Sequence, residues 1–486
     1  MSVTTVLYED VAPGAEEAAT TTATTANALS DLSLVPVGVE PLGAIITLEH
    51  GNWGLDGNSV SYGDGDIAYW SNSMSGADCL FSAPHILTIS LSEQFSSLGI
   101  TLSFDSQGET FCSHVNLKWY QGATLREDMD FFPDSAIYFC DKRVESFDRI
   151  VITMISTNLP GRYAKIEHVL FGIFRTFGMD EIRSASVVNQ MGGLSMTLPS
   201  STFKWTLEGK SDIEFMFQEK QPIEVRNDGR LLSIYYINKH KRKAKNHYDI
   251  ECQDAMGVLE ESTFSGKVYS NFSAKQIVLD ILDGQFHAEF DIPDALMTGA
   301  IYDGLSKRAA LQQVLFAWGA HASTDGINGI RIFSLDQTAE EIPTDRTYLG
   351  AESEMAAIRT AVSVTARAFT PNASGAVTIG GAKYNVTESI YTVVNPNVTG
   401  NAKENTTEVT APTMVSPAIG QATAQRLFDY EENRLTSTAK VVWDGERLGE
   451  LLEVPNAWGS TVTGTLQKME ITLSNTVAAK LTIRGA

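Results

Sequence analysis

At 486 residues the chain is about three times the usual size of one domain, which predicts two to four hydrophobic cores. Its 59 acidic and 36 basic residues leave a formal charge of −23, too few cations to follow a phosphate backbone over distance, so sequence-specific nucleic-acid binding is disfavoured. The longest apolar runs, such as residues 169–174, are far shorter than a bilayer span, and no stable membrane insertion is expected. Met1–Thr5 carries neither a cationic nor an apolar stretch, so a Sec-type signal is not expected either.

Enzyme signatures are missing. Cys79, Cys112, Cys140 and Cys252 form no CxxC pair, the eight histidines include no HExxH, and no nucleotide loop or nucleophile elbow can be placed. The expectation is a non-enzymatic chain with no cofactor and no metal centre, built for assembly or binding.

Residues 1–40 read as an extended Ala/Thr-rich arm, because the run Glu16–Ala26 holds no large apolar side chain to offset the entropy of ordering. Such an arm is either a disordered leader or a strand that orders against a neighbouring subunit. Residues 41–175 hold short period-two runs broken by Gly, Asp and Asn, at 44–48, 86–91, 100–104, 114–120, 149–154 and 165–171. That pattern, nearly free of helical periodicity, predicts an antiparallel β-sandwich.

The order Gly99–Asp105, Val115–Gly122, Phe147–Met154 and Tyr163–Gly172 resembles the discoidin-like (galactose-binding-like) jelly-roll modules of phage tail proteins. The resemblance implies a loop of aromatic and polar groups, here Trp53, Asp56, Asn58, Asp64, Asp66, Tyr69 and Trp70. Aromatic faces stack on sugar rings and aspartates hold calcium, so a cell-surface glycan is one reading of this loop. The other is that these residues stabilise a long loop or dock on a neighbour, and their spacing matches no EF-hand-type calcium loop.

Residues 178–345 carry strand runs at 193–198, 213–217, 222–226 and 231–237, with a tight turn at Asn227–Arg230. Two capped helices are predicted. One starts at Ser273, with Gln276 completing a capping box, and stops at Gly284; the other starts after Ser306 and stops at Gly319. A hairpin through 321–323 and 330–333 closes the region. The run Glu251–Glu260 reads as a strand and turn. Residues 346–486 predict strands, a long polar loop at 395–405, a helix from about 421 to 435, and strands at 437–443, 449–454 and 462–473.

This succession of hairpin, strand-turn, capped helix, second helix and closing hairpin, followed by Leu448–Pro455 and Gly464–Leu473, resembles the baseplate-hub and tail-associated proteins of tailed phages and contractile injection systems. The resemblance implies a mainly β chain: a jelly roll followed by two tube-like hub β-domains with packed helices, at 178–345 and 346–486. It implies a structural virion protein at the distal end of a tail, a homotrimer adapting a six-fold tube to a three-fold spike or fibre. Its partners would be itself, a tail tube or distal tail protein, and a spike, fibre or tape-measure protein. The strong negative charge adds the expectation of an acidic channel that repels DNA phosphates. The alternative is a carbohydrate-binding surface protein, or a hydrolase with a jelly-roll accessory module.

The densest basic cluster, Lys239, Lys241, Arg242, Lys243 and Lys245, lies between two strand runs without interleaved aromatics. It reads as a solvated hairpin tip or as a docking patch for an acidic neighbour. The acidic pairs Asp128/Asp130 and Glu431/Glu432 read as charged surface rather than as a glycosidase couple.

Overall fold

The computed structural model describes residues 3–12, 14–38, 44–46, 49, 61–63, 68–105, 110–208, 217–335, 338–398, 403–455, 460–474 and 477–485. The chain divides into two compact units, Tyr8–Thr176 and Met1–Leu7 together with Phe177–Ala486. Both are built mainly of strands, with four α-helices among the described residues, so the mainly β expectation holds.

The Tyr8–Thr176 unit packs a six-stranded antiparallel sheet over a smaller pair. The large sheet runs His168–Leu170, Leu80–Ser103, Ile137–Ser156, His114–Gln121, Thr124–Phe131, and Ala19–Ala23 pairs with Leu80–Ser103 on the side. The pair is Tyr69–Met74 with Tyr163–Ile166. Two predicted short strands are parts of one, Leu80–Ser103, whose ladder with Ile137–Ser156 shifts register repeatedly between Ser90 and Gly99. Such bulges bend a long strand without ending it, so turn-like residues inside it do not mark its limits. Leu87, Ile89, Leu117, Trp119, Ile150 and Ile152 alternate inward and are fully buried. Each such side chain contributes about 1.5–3 kcal/mol of transfer free energy.

The Ala/Thr-rich stretch is folded into this unit. Thr21 stands opposite Ile89 and is buried, so the strand gains its order from the edge it covers rather than from its own side chains. Inside the unit, the Lys165 ammonium lies 2.6 Å from Glu49 and 2.8 Å from Asp105, all three side chains fully buried.

In the other unit one sheet crosses nearly the whole chain. Thr4–Val11 contributes Thr4–Leu7, and the order continues Pro222–Asn227, Arg230–Ala244, His247–Gln253, Thr202–Glu208, Ile182–Gln190, Thr461–Leu473, Ala478–Gly485, Leu435–Val442 and Glu352–Met355. The turn Asp228–Gly229 has φ of 48° and 79°, the pair of positive values that a two-residue hairpin requires. The predicted regions 178–345 and 346–486 therefore share a sheet, and they share a core as well. Val362, Val364, Ala366 and Met414 pack in one cluster with α2 (Ala274–Leu282), α3 (Lys307–Trp318) and α4 (Pro417–Glu432).

Helix ends follow the sequence closely. Ser273 and Ser306 accept hydrogen bonds from the amides of Gln276 and Ala309, and Gly319 closes α3 at φ 82°. Three readings change. The left-handed C-cap of α2 is Asp283, one residue before Gly284. The expected turn after the strand in Glu251–Glu260 is helical: Asp254 accepts from the Gly257 amide and caps the short helix α1, Ala255–Glu260. Finally α4 ends at Glu432, and Leu435 opens the next strand.

Two outcomes follow for the Tyr8–Thr176 unit. Thr22→Pro removes a ladder donor, since the Ser92 amide bonds the Ala18 carbonyl and alternation points the Thr22 amide at its partner Thr88, and should cost about 2–4 kcal/mol, lowering Tm by about 5–10 °C in calorimetry, whereas a free arm would show no change. Lys165→Met withdraws the ammonium from between two buried carboxylates and should cost about 3–5 kcal/mol in urea denaturation, with a Tm equal to wild type refuting a structural role for the triad.

Candidate functional site

The surface with the clearest design is one face of the long sheet. Cross-strand partners share a face, so the register reads out its rows. On the first half, Lys204 stands opposite Glu251 and Glu251 opposite Lys239, while Thr206 stands opposite Asp249 and Asp249 opposite Lys241. Across the seam Ser186 faces Thr472, and Val188 faces Glu470. The rows then continue through Glu470, Lys480 and Lys440, and through Lys468, Thr482, Thr438 and Glu352. A last row joins Arg484, Thr436 and Glu354. Alternate residues, including Val187, Phe203, Ile250, Cys252, Ile471, Leu481 and Val441, are buried on the opposite side.

Charge on this face departs from the average of the chain. The rows hold seven cations (Lys204, Lys239, Lys241, Lys440, Lys468, Lys480, Arg484) and five carboxylates (Asp249, Glu251, Glu352, Glu354, Glu470). Lys204 pairs with Glu251 at 3.0 Å, and Lys243 pairs with Asp249. This face is thus a near-balanced field of opposite charges, because cations and carboxylates share its rows.

The basic cluster sits on the hairpin formed by Arg230–Ala244 and His247–Gln253, where Lys239, Lys241, Arg242, Lys243 and Lys245 are all exposed. Arg242 lies 5.6 Å over the Tyr248 ring and donates to the Lys245 carbonyl at 2.7 Å. Among the aromatic and acidic loop candidates of the other unit, Trp53, Asp56, Asn58, Asp64 and Asp66 lie outside the described residues. Tyr69 and Trp70 belong to a strand and are 0% and 2% exposed, so neither ring face is open to a sugar. Trp70 instead lies under the Lys165 ammonium at 5.0 Å, and burial pushes the Tyr69 phenol up to about 12. Among the described residues of this unit the exposed ring is Phe132, 64% accessible and stacked at 4.6 Å on His114, which reaches Asp130 at 3.0 Å. Asp128 is held below the usual carboxylate range by hydrogen bonds from Asn116 and Lys118.

Glu431 and Glu432, read as surface, do interior work. Glu431 is 8% exposed and meets both Arg359 and Arg484 at 3.4 Å, and Glu432 accepts from Asn395 at 2.9 Å. Arg484 also lies 4.0 Å over the Tyr430 ring, whose hydroxyl accepts from Gln467 at 3.1 Å. These contacts tie α4 to the second half of the sheet. Gly193 completes the tie, since a Cβ there would stand 1.9 Å from the Tyr430 hydroxyl. Sequence reasoning had no handle on Tyr430 or Arg484, whose partners lie on other elements. Among the described residues no three His, Cys, Asp or Glu side chains come together as a metal-binding group.

No protein-family model matches the sequence, and no curated protein does. Among solved structures, the chain is similar to the tail protein from Neisseria meningitidis MC58, at 13% identity over 64% of this chain and 93% of that one, with a TM-score of 0.48. It is similar to the 43 kDa tail protein of prophage MuSo2 from Shewanella oneidensis, at 10% identity over 64% and 95%, with a TM-score of 0.46. It also matches discoidin II from Dictyostelium discoideum, at 10% identity over 50% and 90%, with a TM-score of 0.17.

Where the two halves of the sheet meet their connecting loops, Glu450 is pushed up to about 7, first by burial and then by Asp325, Glu340 and Glu446, against a hydrogen bond from the Arg447 amide at 2.8 Å. A carboxyl with a raised folded-state pKa favours folding while protonated, so its contribution is present below the unfolded value near 4.5 and is lost as pH rises through 7. Partial exposure discounts the effect to about 1–2 kcal/mol. Glu450→Gln should therefore raise stability at pH 8 and leave it nearly unchanged at pH 4.5; equal urea midpoints for both proteins at pH 8 would exclude the effect.

Proposed function

We propose that this chain is a structural protein of a phage-like tail: a hub that ends the tail tube, assembled as a homotrimer, with no enzymatic activity of its own. The observation that carries this reading is the sheet that crosses from residues 182–253 to residues 435–485 with one largely polar, partly to fully exposed face rich in Ser, Thr, Lys and Glu. A channel wall needs such a face, continuous and without a large apolar patch, backed by a packed core. Two sheet halves in each chain supply six similar wall segments in a trimer, and the resemblance in the order of elements leads to the same arrangement.

The edge strand Glu352–Met355 fits the requirement that neighbouring walls join. It pairs with Leu435–Val442 on one side, and no described strand occupies the other. The Ala356 amide donates inward to the Arg434 carbonyl, so by alternation the Met355 amide points to the side away from Leu435–Val442. An open edge of this kind pairs with another chain unless it is blocked. The partners implied are a second copy of this chain, a tube or distal tail protein, and a spike, fibre or tape-measure protein; the place of assembly is the distal end of the virion tail. Passage of DNA along such a face rests on alternating charge, which offers phosphates no continuous cationic track, rather than on uniform acidic repulsion.

The Tyr8–Thr176 unit is read as a module that docks on a neighbouring tail protein. A glycan-reading role is the second possibility, favoured by exposed Phe132 beside His114, Asn116 and Asp130. The exposed basic hairpin serves as a contact for an acidic partner surface.

Native mass spectrometry of the purified protein should show three chains. Met355→Pro removes an outward-pointing donor without touching an internal ladder bond, so it should leave Tm within a few degrees and shift the population from trimer to monomer by about tenfold or more. A wild-type monomer at high concentration would overturn the hub reading, and a trimer insensitive to Met355→Pro would overturn the assignment of this edge.

A further inference from the structure

Lysine is among the side chains least often buried, and among the described lysines only Lys165 is. Its side chain and those of its neighbours Glu49 and Asp105 are all 0% exposed. Asp105 follows the long strand Leu80–Ser103 of the large sheet, and Lys165 lies on Tyr163–Ile166 of the smaller pair, opposite Trp70. The 2.8 Å contact from Lys165 Nζ to Asp105 Oδ2 therefore spans from one sheet to the other, across 60 residues of chain.

Glu49 comes from a third segment and is held in place. Its Oε1 accepts from the Tyr163 amide at 2.8 Å, and its Oε2 lies 2.6 Å from Lys165 Nζ. Trp70 lies 5.0 Å over the lysine nitrogen, and Phe104, Ala164 and Ile166, the chain neighbours of Asp105 and Lys165, are buried as well. The three polar groups thus meet in a place that water does not reach.

Three charges are costly to keep in so dry an interior. The same placement is what amide formation requires. In water an amine and a carboxylate do not condense, because both ions are well solvated and water drives the reverse reaction. Burial removes both obstacles. A nitrogen hydrogen-bonded to a carboxylate oxygen also stands about 3.5 Å from the carboxyl carbon, the separation of a near-attack pair.

We propose that Lys165 and Asp105 condense after folding into an intramolecular amide bond, with Glu49 as the proton carrier. One ammonium proton passes to Asp105 Oδ2, leaving an amine beside a carboxylic acid. The amine lone pair then attacks Asp105 Cγ. Glu49 Oε2 takes a second proton from the nitrogen and hands it to the departing oxygen, which leaves as water. A C–N bond forms, a C–O bond breaks, nothing is oxidised or reduced, and Glu49 ends as the carboxylate it was. Of the three buried charges one remains, with the Tyr163 amide and the N–H of the new bond as its donors. Glu49 is the carrier rather than the acyl group because it stands closer to the nitrogen and its other oxygen is anchored by a main-chain donor, which fixes the oxygen that takes the proton. The bond ties the two sheets of the Tyr8–Thr176 unit to each other. It does not rest on the hub reading, and its test leaves that reading untouched.

The test is intact-mass spectrometry of the full chain, purified folded and then denatured. The wild type should be lighter than its sequence by one water, and digestion should release a branched peptide joining Asp105 to Lys165. The branch separates this bond from succinimide formation at an aspartate, which also loses water but leaves the chain unbranched. Lys165→Arg keeps the positive charge without an amine and should show the full mass. Glu49→Gln, with its fold checked by near-ultraviolet circular dichroism, should slow linking by about a hundredfold, read as the linked fraction at successive times after cell-free synthesis. The wild-type measurement decides the bond by itself, whatever the stability of the variants. A folded wild type that keeps its full mass and yields no branched peptide after prolonged incubation overturns the proposal. A branch from Lys165 to Glu49 overturns the choice of Asp105, and linking of Glu49→Gln at the wild-type rate overturns the carrier role.

Discussion

The structure of the larger unit depends on one antiparallel ladder. Ile182–Gln190 pairs with Thr461–Leu473 from Ala185 opposite Leu473 to Gln190 opposite Lys468, joining segments nearly three hundred residues apart. The chain-closure entropy for such a contact is large but grows only slowly with length, so a short ladder with buried Val187, Met469 and Ile471 suffices once both halves are present. The polar face and the shared helical core both exist because this ladder forms.

The same ladder explains why charge is distributed as it is. Side chains alternate across a strand, and cross-strand partners lie side by side, so a row such as Glu470, Lys480 and Lys440 neutralises part of its own field. A net charge of −23 over the whole chain therefore predicts little about this face. Arginines extend the logic inward: Arg484 and Arg359 share Glu431, and Arg367 donates to the carbonyls of Pro412 and Thr410 at 2.8 Å while it pairs with Glu388. The guanidinium suits these places, since its fork reaches several oxygens at once while staying charged.

The smaller unit shows a different economy. Its sheet includes a strand, Ala19–Ala23, that has almost no apolar area of its own and is ordered by backbone pairing with Leu87–Leu91. Its interior includes a lysine between two carboxylates, an arrangement that burial makes unforgiving to the loss of any member. Trp70 and Tyr69 belong to this interior, which is why rings that invite a binding role on the page have no open face in the fold.

Local codes were legible from the amino-acid sequence alone. The serine caps at Ser273 and Ser306, the glycine stop at Gly319, the turn at Asp228–Gly229 and the period-two strands act over a few residues, so their outcome follows from neighbours in the chain. Composition was legible too, as a mainly β architecture without a membrane-length apolar run. The rest belonged to tertiary structure. Whether 178–345 and 346–486 are two domains or two halves of one sheet turns on which strand edges meet, and strand periodicity carries no record of a distant partner. Residue types likewise could not tell that Glu431 is interior, that Tyr430 needs Gly193 to leave room, or that Lys165 lies between Glu49 and Asp105. Those facts arise from packing between elements, where the environment of a polar atom depends on what the fold brings beside it.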